Sequence, residues 1–262
     1  MAAGRAYVGP DIWTTDYELP LSDRFVHPEY VELDADRGDL GAFDISVVVL
    51  ESDAPIRPMW LRLEPLAESL LDTEMVSIGF GLDENGDSGV KRSATLTLDE
   101  LDPMFLLSRS RTNPDGATIC SGDSGGPQVA LVDVEWEQWG VHSWGDARCE
   151  MTSGSQRVDI ALDWVLDQVE AVHGTRDLCV ANGWAGDGTC DPRCADYGAV
   201  DPDCETVSDT AEPEPEPETE RPASEREGES KGGCSVASVG LSGGLAWLAG
   251  LVVVARRRRC AR

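Results

Sequence analysis

The stretch Cys120-Ser121-Gly122-Asp123-Ser124-Gly125-Gly126-Pro127 restricts this chain more than any other, because so many glycines around two serines suit a tight loop and little else. Without a Cβ at Gly122, Gly125 and Gly126, the backbone can turn sharply and bring amide N–H groups close to a bound carbonyl. A serine hydroxyl at neutral pH is a poor nucleophile, so a reactive one needs a base beside it and donors aimed at the oxyanion formed on attack. The octet reads as a nucleophile loop. Ser124 is the candidate nucleophile, and the N–H groups of Gly122 and Ser124 are the candidate oxyanion hole. The competing reading is a solvated Gly/Ser turn.

The run from Gly122 to Pro127 resembles the nucleophile signature of the trypsin/chymotrypsin-like serine peptidases, and other matches follow in the right order. Phe43-Asp44-Ile45-Ser46-Val47-Val48-Val49-Leu50 resembles the strand carrying the triad aspartate, with His27-Pro28-Glu29-Tyr30 resembling the stretch before it. Gly140-Val141-His142-Ser143-Trp144-Gly145 resembles the strand lining the substrate cleft. The resemblance covers roughly the first two thirds of the chain. It implies an all-β, two-barrel fold with a C-terminal helix over residues 1–174, Asp44 as the triad aspartate, and a disulfide between Cys120 and Cys149. No cofactor is implied for catalysis, and the substrates would be proteins or peptides. On the residues alone, Asp44 is a strand-entry carboxylate that faces water or, if buried, needs a hydrogen-bonding partner.

The same resemblance bears on specificity. Thr118 stands at the pocket base and is not the aspartate that selects lysine or arginine. Gly145 and Gly154 match the wall positions, where glycine leaves the pocket open, and Ser143 lies in the lining strand. His142 and Ser121 match the histidine and serine by which glutamate-specific members bind a carboxylate. An imidazolium could do so; the alternative is a satisfied histidine under the cleft.

One departure matters more than these matches. The family carries its base in a Thr-Ala-Ala-His-Cys-like segment upstream of the aspartate, and only His27, His142 and His173 are present here, none at that position. Residues 1–11 also lack a basic start followed by an apolar run, although the cysteines suggest an oxidising compartment. The expectation is therefore that first-barrel sequence and a signal peptide belong upstream of Met1. The first barrel would then be incomplete and the chain as written nearly inert, the competing reading being a catalytically dead, membrane-tethered binding protein.

Residues 6–102 read as short strands between turns, and residues 157–174 as a helix with Ile160, Trp164, Val165 and Val169 in one stripe. Residues 175–205 read as a separate small module in which Cys179, Cys190, Cys194 and Cys204 form two disulfides, since so short a segment buries little core. Its Gly-Asp-Gly-x-Cys-Asp pattern and closing Asp-x-Asp-Cys resemble Notch-type calcium-binding repeats, which makes Asp187, Asp191, Asp201 and Asp203 candidate calcium ligands. Solvated aspartates on a disulfide knot are the alternative.

Residues 206–231 form a Glu/Pro-rich, disordered acidic linker. Residues 232–262 hold Cys234, an apolar run to Ala255 long enough to cross a bilayer as a transmembrane helix, and an arginine cluster. That order resembles the MYXO-CTERM type of sorting signal, which implies a sorting peptidase and a cell-surface location; an uncleaved membrane anchor is the alternative. A net charge of -28 argues against nucleic acid as a partner.

Overall fold

Short apolar stretches make strands the main regular element of this chain. The computed structural model describes residues 4–34, 38–207 and 251–255. The N-terminal sheet is built from β1 (Arg5–Val8), β2 (Tyr17–Val26) and β3 (Ser46–Leu50) in antiparallel order. β3 is buried along its whole length, as its uninterrupted run of β-branched and aliphatic side chains requires.

The second sheet takes β4 (Trp60–Leu61), β5 (Glu74–Gly79), β6 (Arg92–Thr97), β7 (Glu100–Leu101), β8 (Phe105–Arg109), β9 (Pro127–Val132), β10 (Glu135–Gly145) and β11 (Thr152–Arg157). Its order is β6-β5-β9-β10-β11-β8-β7, with β4 running parallel to β10. Ser108 Oγ donates to the carbonyl of Thr97 at 2.7 Å, so β8 returns to β6 and the sheet rolls toward a closed barrel. Leu66, Met75, Leu98, Leu106, Ala130 and Trp139 fill its interior. This is the mostly β, barrel-like architecture expected from the sequence, with the N-terminal sheet remaining open.

β11 runs straight into a short 3-10 turn and then α1 (Leu162–His173), which Gly174 ends in the left-handed conformation at φ 75°. The expected helix thus starts five residues late, because residue 157 is still in β11. Val165 and Val169 face the core against Ile45, Val47 and Val141, and Trp164 packs at its edge. That apolar contact fixes β3 to β10, and with them the two strands that carry the candidate site.

The cysteine-rich segment packs on the barrel. Cys179–Cys194 and Cys190–Cys204 close it, around α2 (Leu178–Asn182) and two 3-10 turns. Its core of Cys179, Trp184 and Cys194 includes Trp60 from β4, and the Tyr197 hydroxyl donates to the carbonyl of Leu61 at 2.8 Å. A segment too small to bury its own aromatics has buried them against the barrel.

Of the apolar C-terminal run, β12 (Leu251–Ala255) lies parallel to β3, pairing Leu251 with Ser46 through Ala255 with Leu50. Here the end of the expected membrane-spanning segment is a strand: three consecutive valines favour extended backbone, and β3 offers an open edge to pair with. Among the described residues no helix is long and apolar enough to cross a membrane. Cys234, the acidic linker from residue 208 and the arginine cluster lie outside the described residues.

Candidate active site

β9 begins where the nucleophile loop ends, and β10 runs beside it, so the loop hangs on a rigid edge. Gly122 and Gly125 take φ values of 98° and 85°, which explains glycine at both places. The amides of Asp123, Gly125 and Gly126 are committed to the carbonyls of Cys120, His142 and Asp123 at 2.9–3.0 Å. The amides of Gly122 and Ser124 have no hydrogen bond among the described residues, and Ser124 itself is exposed. An exposed hydroxyl beside two free N–H donors is the local arrangement acyl transfer requires. The disulfide Cys120–Cys149 ties the start of the loop to the turn after β10.

Beneath the loop lies the carboxylate of Asp123. Its oxygens accept from the amides of Gly81 at 2.7 Å and Cys120 at 2.8 Å. Burial raises its pKa, opposed by those two amides and by the charge of Arg92. Gly79 and Gly81 make the cradle, because a Cβ at either would overlap the carboxylate.

Asp44 enters from the other sheet. Its carboxylate accepts a hydrogen bond from Ser143 Oγ at 2.6 Å, and its amide donates to Oε1 of the fully buried Gln156 at 2.9 Å. Burial raises the Asp44 pKa, and the Ser143 hydroxyl pulls it back. One strand therefore holds both parts of the site: the carbonyl of His142 receives Gly125 from the serine loop, and the next residue, Ser143, holds Asp44.

None of the histidines completes a relay between them. His27 stacks on Phe43 at 4.2 Å, meets Trp164 edge-on, and accepts the Glu29 amide at Nδ1. His142 is fully buried, with Nε2 2.8 Å from Ser77 Oγ and Nδ1 3.0 Å from Ser155 Oγ. Burial holds its pKa down to about 3, so it is a neutral imidazole behind the site and not an imidazolium in a pocket. His173 closes α1.

The expected pocket residues fall into two groups. Thr118 Oγ1 donates to the Cys149 carbonyl at 2.6 Å, and Ser121 is exposed with its carbonyl bonded to the Leu82 amide. Gly145 and Gly154 are not open walls but sites of close approach. A Cβ at Gly145 would stand 2.9 Å from the Ile119 carbonyl, and one at Gly154 would strike the indole of Trp144, its cross-strand partner. The residue across from Gly145 is Ser153.

Of the four candidate calcium ligands, Asp191 and Asp201 bring carboxylate oxygens within 4.8 Å of each other beside the disulfide-bonded Cys194, a cluster that does not include Asp187 or Asp203. Asp187 Oδ1 accepts the Thr189 amide and Asp203 Oδ2 the Gly188 amide. Asp201 accepts from Gly186, Asp191 and Asp203; burial would raise its pKa, but these amides hold it below the ordinary value. Asp191 brings one oxygen to the guanidinium of Arg57, leaving only its Oδ2 buried without a partner. Calcium takes about 6–8 oxygen ligands, and these carboxylates also face N–H donors and a guanidinium.

Sequence reasoning misses Ser77, Ser155, Gln156 and Gln128. A signal is present in β11, where Ser153, Ser155 and Gln156 put polar side chains at the strand's buried positions.

A serine in a glycine loop with free amides, on a barrel strand that also grips a half-buried aspartate, defines the class: a serine-hydrolase site on a β-barrel. A sequence model of the trypsin family matches residues 14–165, and the chain belongs to that family. It is also 29% identical over 184 residues to a curated protein named trypsin from Saccharopolyspora erythraea, covering 65% of this chain and 75% of that relative.

Proposed function

We propose that the chain is the nucleophile-bearing part of a serine endopeptidase. The observation that carries this is the shared support of Asp44 and the Ser124 loop by the adjacent residues Ser143 and His142 of β10. In the mechanism, Ser124 Oγ attacks the peptide carbonyl, and the Gly122 and Ser124 amides hold the oxyanion. Asp44 orients an imidazole that takes the serine proton. No described histidine is bonded between the two, so the described residues do not supply that imidazole. Without it the rate falls to the level left by oxyanion binding, and the 262-residue chain alone is nearly inactive.

The pocket reading follows the same geometry. Thr118 carries no charge and His142 is sealed and neutral, so the preferred side chain at the scissile position is uncharged. Cleavage profiling that returned Glu first would reject this.

The disulfides support an oxidising, extracytoplasmic compartment. The order of Cys234, apolar run and arginines supports tethering at the cell surface after processing by a sorting peptidase. In that reading, pairing of Leu251–Ala255 with β3 is the fate of the same apolar residues when no bilayer is present. Membrane fractionation of the wild type against a Cys234→Ala variant tests it.

The deciding experiment is labelling with a fluorophosphonate probe, which reacts only with an activated serine, on this chain and on a form extended upstream. Labelling of the extended form that is lost in Ser124→Ala is the expected result. Absence of labelling in a folded extended form would favour a protein-binding pseudopeptidase, the second reading, which the lack of a placed base also supports.

A further inference from the structure

Glu137, the third residue of β10, is 2% exposed, a position where an uncompensated carboxylate would be very costly. It is met from three sides. Arg62 Nη1 reaches Oε2 at 3.2 Å, the Trp139 indole N–H reaches the same oxygen at 3.0 Å, and Arg193 of the cysteine-rich segment pairs with Oε1. Arg193 also lies 5.3 Å from the centre of the Trp60 ring.

A second guanidinium crosses the same boundary in the opposite direction. Arg57, from the barrel side, pairs with the buried Asp191 and lies 4.5 Å over Trp184, which packs edge-on against Trp60. Each arginine is thus inserted into the other unit's acidic and aromatic surface. Arginine suits this use because its planar guanidinium pairs with a carboxylate and stacks on a ring at once.

We propose that Arg57 and Arg193 serve as the cations of the cysteine-rich segment, docking it on the barrel in place of a bound metal ion and making it a brace for β10. Glu137 lies six residues before Ser143, about 20 Å along the strand. The brace therefore holds the end of β10 remote from the strand end that carries the Asp44 contact. Arg193 is a positioning residue in this scheme and touches no reacting group. The brace rests on contacts that include no residue of the candidate site, so its tests use no catalytic readout and can fail separately from the peptidase reading.

Thermal unfolding of the full chain is expected to show one transition for barrel and segment together, with the same Tm in calcium and in EDTA. Arg193→Met strands part of the charge of Glu137 and is expected to lower Tm by roughly 6 °C or more. Arg193→Lys, which keeps charge without the planar fork, should recover only part. A double-mutant cycle of Arg193→Met with Glu137→Gln should show strong coupling. Should Arg193→Met fail to fold, graded reduction of the wild type decides the matter. The buried Cys179–Cys194 bond should resist reductant long after the more exposed Cys190–Cys204 bond is lost. Two separate transitions, a Tm raised by calcium, an additive cycle, or equal reduction of the two disulfides would each overturn the proposal.

Discussion

Ser143 Oγ stands 2.6 Å from Asp44 Oδ2, and this contact joins the two sheets at the point where the proposed chemistry takes place. The carboxylate is half-buried and its pKa is raised by burial, so its charge depends on whatever donors reach it. Ser143 is that donor. Ser143→Ala is expected to raise the Asp44 pKa further and to destabilise the fold by about 1.5–3 kcal/mol at neutral pH, where the carboxylate is ionised. Because protonation removes the charge that burial disfavours, the stability lost by the variant should be largely recovered as pH falls through the Asp44 pKa. Carboxyl NMR titration combined with denaturant unfolding at two pH values checks both statements.

His142 makes a second and opposite pH prediction. Its folded pKa is depressed to about 3 from 6.5, chiefly by burial, with the Ile78 carbonyl pulling weakly the other way. Between these values the unfolded chain binds a proton that the folded chain refuses. Its contribution to stability is therefore complete above pH 6.5 and is lost as pH falls toward 3, at most on the order of 5 kcal/mol. Unfolding followed from pH 7 to pH 4 should show uptake of one extra proton, and His142→Gln should abolish that component. A pH-independent difference between wild type and variant would contradict the assignment.

The loop, the aspartate strand and the cleft strand were legible in the sequence because each is local: glycine spacing, an apolar run and a short motif. What was not legible is what happens where distant segments meet. Gly154 reads as a pocket wall, yet its missing Cβ is filled by Trp144, which depends on the β10–β11 register and a bulge at Ser143. His142 reads as a carboxylate-binding imidazolium or as a satisfied histidine under the cleft, and only Ser77 and Ser155, from two other strands, decide which. The cysteine-rich segment reads as a free unit because Arg193 and Glu137 are 56 residues apart, and ion pairs leave no periodic trace in sequence. The aspartates there read as calcium ligands by pattern, and a pattern cannot show that backbone amides already occupy them.

Gly79 and Gly81 test how the loop beneath Ser124 is held. A Cβ at Gly79 would lie 1.9 Å from Asp123 Oδ1, and one at Gly81 2.6 Å from the same carboxylate. Neither glycine has a positive φ, so the demand for glycine there is steric and not conformational. Gly81→Ala should push Asp123 away from its amide donors, at a cost of about 1–3 kcal/mol for the buried groups left unpaired. The Cys120 and Gly81 amides should then exchange with solvent faster while those of β3 do not. In an extended, active form the same variant should reduce fluorophosphonate labelling without altering Asp44.

Asp146 shapes the turn after β10 that carries Cys149. Its carboxylate accepts from the amides of Arg148, Glu150, Met151 and Thr152, at 2.7–3.1 Å for the shortest contact in each case. These donors, led by Met151, hold its pKa below the ordinary value. The turn is also strained, since Cys149 has a φ of 56°, and its carbonyl receives the Thr118 hydroxyl. Asp146→Asn keeps the shape but removes the charge that favours amide donors, whereas Asp146→Ala removes the acceptors altogether. Asp146→Ala should therefore loosen the turn together with Thr118 and make the Cys120–Cys149 disulfide more easily reduced, with Asp146→Asn intermediate. Acid should reproduce the effect in the wild type only below the ordinary carboxylate range, because a depressed carboxylate keeps its charge, and its stabilisation, until pH falls to its lowered pKa. Reduction rates of that disulfide at pH 7 in the two variants give the ordering directly, and equal rates in all three proteins would show that the turn is held by the disulfide alone.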